Sequence, residues 1–170
     1  MIIKQCDFWK WGFSNILDNT TRSVIAEYIV GLALDSLKDI RKEWISYDLE
    51  TDNGIKIEVK CSGYIQNWKQ SKPSKISFDI AKKKTWYEET NTYSTYKRRP
   101  SDVYVFCIHT ENDRKKVNPL NTDQWEFIIV LTSEIDQIFG NQKSVALSVL
   151  EKKGFKRVKY EELRQNSDLI

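Results

Sequence analysis

Residues 44–63, "WISYDLETDNGIKIEVKCSG", leave this chain few ways to fold. Ile55, Ile57, Val59 and Cys61 alternate with Lys56, Glu58, Lys60 and Ser62, the two-residue period of a strand with one apolar face. Before them Ile45, Tyr47 and Leu49 alternate with Ser46, Asp48 and Glu50. The two runs form a hairpin, and its turn decides which faces meet. A two-residue Asn53-Gly54 turn would set Leu49 against Glu58 and Asp48 against Val59, opposing apolar to polar throughout. A three-residue loop, Asp52-Asn53-Gly54 with Gly54 left-handed, pairs Leu49 with Ile57, Tyr47 with Val59 and Ile45 with Cys61. The apolar face then becomes continuous, and a one-residue slip would destroy it. Glu50 meets Lys56 in this register, a favourable cross-strand pair.

The same register sets Asp48 opposite Glu58, with Lys60 two residues farther along that face. Side chains so opposed have Cβ atoms about 4.5–5.5 Å apart. Two carboxylates at that distance repel, and one tends to keep its proton unless a cation intervenes. Magnesium suits the place, because it takes few protein carboxylates and favours phosphate substrates. A Glu-x-Lys triplet is cheap in a chain with 30% charged residues, and Glu151-Lys152-Lys153 is another. The signal lies in the combination of Asp48, the loop-defined register and an acidic helix upstream. The bland reading of the polar face is solvated decoration on a structural hairpin.

At 170 residues, 40% of them apolar, the chain suits one domain with a real core. It contains no apolar run of the roughly 18 residues that a membrane span needs, and its first residues, "MIIKQCDFWKWG", do not read as a secretion signal. Three cysteines without a C-x-x-C pair suit a reducing cytoplasm. The single histidine, His109, ends an apolar run and reads as a strand-end residue; zinc chemistry has no ligand cluster to use. There is no glycine-rich phosphate loop.

Charge is uneven. Residues 69–99 hold nine Lys and Arg against three Asp and Glu, while the segments on either side are slightly acidic. Lys69, Lys72, Lys75, Lys82, Lys83, Lys84, Lys97, Arg98 and Arg99 form this block, with Trp86, Tyr87, Tyr93 and Tyr96 among them. Basic and aromatic side chains together suit nucleic acid; a solubilising surface is the alternative.

Elsewhere, Thr20 or Thr21 caps a helix over about 22–37, in which Glu27 shares a stripe with Val24, Gly31 and Leu34. "KISFDI" alternates as a short strand, and "AKKKTWYEET" reads as a helix. "DVYVFCIH" and "QWEFIIVL" suit strands covered on both faces. Ser133 caps a short helix stopped by Gly140, and "YEELRQN" makes a last helix. The order indicates an α/β (α+β) single domain over 1–170, a central mixed β-sheet flanked by helices, with its core at about 20–132 and a C-terminal elaboration over 133–170.

An aspartate on one strand, Glu58-Val59-Lys60 on its neighbour and a helical glutamate before them resemble the PD-(D/E)xK nuclease superfamily, the restriction-endonuclease-like fold. The resemblance covers roughly residues 20–110, and Tyr47 stands where the superfamily's proline would be. It implies a metal-dependent endonuclease hydrolysing DNA phosphodiesters. Asp48, Glu58 and the Val59 backbone carbonyl would hold Mg2+, with Mn2+ as a substitute. Lys60 would assist the attacking water, and Glu27 would contact a second ion or a water on the metal. Gln66 would shape the site in the manner of some members, or else be a surface loop residue. DNA is the expected partner, RNA an open one. A homodimer fits the class, but no interface is legible. An intracellular bacterial or phage protein is implied. The competing function is a catalytically silent module of this fold that binds nucleic acid or protein.

Overall fold

The computed structural model describes residues 2–37, 40–43, 45–87 and 90–165. Helix α1 (Gln5–Phe13) buries none of its residues. Helix α2 (Asn19–Ala33) starts earlier than its threonines suggested, because Asp18 is the cap: its carboxylate accepts the N–H groups of Thr20 (3.0 Å) and Thr21 (3.3 Å). It also stops short of residue 37. Asp35 turns left-handed (φ 51°), and the Ser36 N–H closes back on the Gly31 carbonyl at 2.9 Å, a Schellman end.

The central sheet has the order β1 (Leu49–Glu50), β2 (Lys56–Gly63), β6 (Val103–His109), β7 (Trp125–Leu131). β1 and β7 run antiparallel to their neighbours, and β2 runs parallel to β6. The hairpin takes the three-residue loop. Thr51 N–H donates to the Ile55 carbonyl at 3.1 Å, Gly54 has φ 80°, and Leu49 pairs with Ile57 and Glu50 with Lys56. The ladder ends there, and the expected Tyr47–Val59 and Ile45–Cys61 pairs do not form. Instead the Asp48 N–H turns to the Ile57 carbonyl (2.9 Å), and its carboxylate takes the Val59 N–H (2.7 Å). A short acidic side chain has displaced the backbone acceptor.

Every residue of β6 is buried, as its unbroken apolar run requires. On one face Ile57, Val59, Val105, Cys107 and Phe127 pack against Ala26, Ile29, Val30 and Ala33 of α2 and Leu163 of α5 (Tyr160–Gln165). On the other, Phe106, Ile108, Ile128 and Val130 pack against a second layer. That layer holds Phe78 of β3 (Ser77–Asp79), Val145 of β8 (Ser144–Ala146), α3 (Thr132–Phe139) and α4 (Leu147–Lys152). Helix α3 begins at Thr132 rather than behind a Ser133 cap; the Glu134 carboxylate accepts the Leu131 N–H (3.2 Å), and Gly140 ends the helix at φ 52°. His109 closes β6, fully buried and edge-on to Trp125 at 4.8 Å.

The helix expected at 81–90 is absent from its described residues. Lys83 bridges to Arg98, and β4 (Trp86–Tyr87) pairs with β5 (Thr92–Tyr93). Trp86 packs against Tyr93 with ring centroids 5.0 Å apart and the planes tilted by 57°, a cross-strand contact that outweighs the helical preference of a lysine run. Glu88 and Glu89 lie outside the described residues. Also among the described residues, no helix is long and apolar enough to cross a membrane, and all three cysteines are free.

Candidate active site

Alternation along β2 sends Ile57 and Val59 toward α2 and leaves Glu58 and Lys60 on the opposite face, beside Tyr104 of β6. Asp48 sits at the fork where the chain leaves β2. It shares a cleft of about 330 Å³ with Glu58, Lys60 and Tyr104, walled by Lys83, Lys84, Trp86 and Tyr93. The structure therefore brings three expected residues together, although Asp48 approaches through its side chain rather than as a ladder partner.

The site is tightly wired. Lys60 Nζ donates to Glu58 Oε1, and the Ser101 hydroxyl reaches Glu58 Oε2 at 3.3 Å. The Glu58 and Lys60 side chains are 12% and 19% exposed, so water screens their charges poorly. Burial, then the charges of Glu58 and Glu27, push the Asp48 carboxyl up from 3.8 to about 6, against the opposing pull of the Val59 N–H and Lys60. Lys60 is held above its ordinary value: burial works against its charge, but Glu58, by field and hydrogen bond, and Asp48 outweigh that. It stays a cation and a donor. Burial, with the field of Glu58, likewise keeps the Tyr104 phenol protonated.

Glu27 is placed differently. It points inward from α2, 8% exposed, into a second cavity of about 340 Å³ that adjoins the first through Asp48. There Arg41 grips it with both ends of the guanidinium, Nε to Oε2 at 2.5 Å and NH2 to Oε1 at 3.0 Å. Among the described residues, no three of His, Cys, Asp and Glu converge as a metal cluster. The donor set that does converge is two carboxylates. Since the N–H and C=O of one strand residue face the same neighbour, the Val59 carbonyl opens on the Asp48 side. Two carboxylates and a carbonyl are a donor set of the kind that magnesium takes.

Gln66 is neither a surface residue nor part of this cleft. It is buried, accepts from Arg22 (3.0 Å) and donates to the Gly63 carbonyl (2.8 Å). The basic block divides. Lys69, Lys72, Lys75, Lys83, Lys84, Lys97 and Arg98 are exposed, and Lys82 is half-buried beside Asp136 (3.3 Å). Arg99 has to be removed from the expected nucleic-acid set. Its fully buried guanidinium donates to the carbonyls of Ile80 (2.8 Å), Gly140 (3.0 Å) and Gln142 (3.3 Å) and to Asp136. Arg99→Ala would strand those acceptors, and chemical denaturation should show a loss of about 3 kcal/mol. The folded variant's nucleic-acid affinity should not change.

Sequence reasoning passed over Arg41, Ser101 and Tyr104. Ser101 had a local cue, following Pro100 at the start of an apolar run; Arg41 had none linking it to Glu27.

The site is thus a mixed sheet carrying two carboxylates and a lysine at a strand fork, beneath a wall of basic and aromatic side chains. Residues 12–148 match the family described as bacteriophage T4 endonuclease IV. That span is most of the chain, and the chain belongs to this endonuclease family. Among solved structures, a bacterial homing endonuclease is similar over 76% of this chain and 77% of its own, with 20% identity and a TM-score of 0.43. No curated protein matches.

Proposed function

We propose that this protein is a metal-dependent DNA endonuclease of the PD-(D/E)xK kind, acting as a single domain. The observation that carries the reading is the cleft itself: Asp48, Glu58 and Lys60 line one cavity, where burial and the neighbouring carboxylates push the Asp48 carboxyl up to about 6. Membership of an endonuclease family supports it.

Asp48, Glu58 and the Val59 carbonyl would hold Mg2+, or Mn2+ in its place. Bound there, the ion would polarise a phosphoryl oxygen and lower the pKa of a water. The chain's own groups supply the rest. Val59 N–H holds the Asp48 carboxylate in orientation, as Ser101 does for Glu58. Lys60, kept protonated by Glu58, would orient the attacking water and neutralise charge developing on the phosphoryl oxygens. Glu27, with both oxygens on Arg41, would act through its field on Asp48 or through water.

Incubation with supercoiled plasmid, linear and single-stranded DNA, and RNA, in Mg2+ and in EDTA, tests this. Cleavage of DNA in Mg2+ alone is expected; no cleavage of any DNA, or cleavage undiminished in EDTA, would sink it. Titration with Mg2+ in a calorimeter separates a catalytically silent module, which would bind no ion at this site.

Lys83 and Lys84 stand exposed on the cleft wall, Lys83 only 3.2 Å from an equally exposed Asp79. Replacing both by alanine should weaken DNA binding and flatten its salt dependence by roughly one counterion per lysine. The plot of log Kd against log salt, in EDTA, reads this directly.

A further inference from the structure

We propose that Arg41 is the resident counter-cation of Glu27, a positioning residue that limits the site to one divalent ion. The inference deepens the metal-dependent reading above and rests on it. A carboxylate as buried as Glu27 requires a partner, and the structure gives it one on both oxygens, at 2.5 Å and 3.0 Å. A guanidinium fork across a carboxylate is among the stronger side-chain pairings, and here its carboxylate is 11% exposed and its arginine 41%. An ion at Glu27 would have to break it. The Glu43 carboxylate, at 3.6 Å, is Arg41's other acid, but it is largely exposed and competes weakly.

Position supports the same role. Glu27, Arg41 and Asp48 line one cavity, while Asp48, Glu58 and Lys60 line the adjoining one. Arg41 also feels the Asp48 charge, after those of its Glu27 contacts. Where the two cavities meet, Glu27 already faces Arg41 and Glu58 already faces Lys60; Lys42, Glu50, Lys83 and Lys84 also line the two cavities. A second divalent ion at Glu27 would bring its charge against Arg41 and would have to displace it from both carboxylate oxygens. Arg41 therefore stands where a second metal would otherwise be recruited, and Asp48 and Glu58 hold the only ion.

Mn2+ binding to the full chain without nucleic acid, counted by calorimetry and by electron paramagnetic resonance of free Mn2+, tests this. The parent protein should take up one ion per chain. Arg41→Ala, which leaves Glu27 buried and unpaired, should take up two, and adding Glu27→Gln to it should restore one. Glu27→Gln alone, a second variant should Arg41→Ala fail to fold, should still bind one ion. Two ions in the parent, or loss of an ion in Glu27→Gln, would overturn the proposal while leaving the metal-dependent reading intact. A folded Arg41→Ala that stays at one ion would do the same. No ion in the parent would overturn both.

Discussion

Asp48→Asn is expected to reduce DNA cleavage roughly a thousandfold and yet give a metal-free protein that is harder to unfold at neutral pH. The two effects share one cause. In the folded chain the Asp48 carboxyl titrates at about 6 instead of 3.8, so between those values the folded state keeps a proton that the unfolded state has lost. Stability then falls as pH rises through that window and stays low above it. Two pKa units correspond to about 3 kcal/mol, an upper bound for a partly hydrated group. Asparagine keeps an acceptor for the Val59 N–H and carries no charge. Thermal melts in EDTA at pH 5 and pH 7.5 should show the parent losing stability between the two and the variant losing less. Mg2+ should raise the parent's melting temperature at pH 7.5 and leave the variant's alone. A variant no more stable than the parent at pH 7.5 would mean that Asp48 carries no unrelieved charge.

Lys60→Met should be the opposite kind of lesion. Removing a donor that serves the reacting groups costs roughly a hundredfold to ten-thousandfold in rate, but the ion's ligands remain. One Mn2+ per chain should still bind, and more tightly, because Glu58 has lost its partner. The metal-free protein should be destabilised by about 2 kcal/mol, since a poorly screened carboxylate is left with only Ser101. The raised Lys60 value means that this contribution is whole below 10.5, the ordinary lysine pKa, and fades as pH climbs past it. The gap between parent and variant should therefore narrow only in strong alkali. Cleavage by Lys60→Met within tenfold of the parent would remove the lysine from the mechanism.

The parts of the site legible in the sequence are those fixed by short-range pattern. Alternation and a left-handed glycine were enough to choose the register, and the register carried Asp48 toward Glu58 and Lys60. The exact approach of Asp48 was hidden, because a carboxylate taking over a backbone N–H leaves no trace in the alternation. Glu27 stood out as a charge on a buried stripe, but its arginine comes from a segment without periodicity. Arg99 looked like its neighbours Lys97 and Arg98; the carbonyls that bury it lie some twenty to forty residues away along the chain. The lysine run at 82–84 suggested helix by composition, while Trp86 and Tyr93 decided otherwise through a contact across the sheet. Non-local contacts decided each of these, and a single sequence does not print them.

The three-residue loop at Asp52–Gly54 carries a consequence for how such a chain can vary over generations. Its three residues are exposed and line neither cavity, and Gly54, with a φ of 80° that few side chains tolerate, is the one whose backbone constrains its identity. A change in length is another matter. Adding or deleting one residue would rotate Asp48 to the wrong side of Val59 and turn the Leu49 face outward. Relatives that retain this chemistry should therefore hold the length of this loop constant.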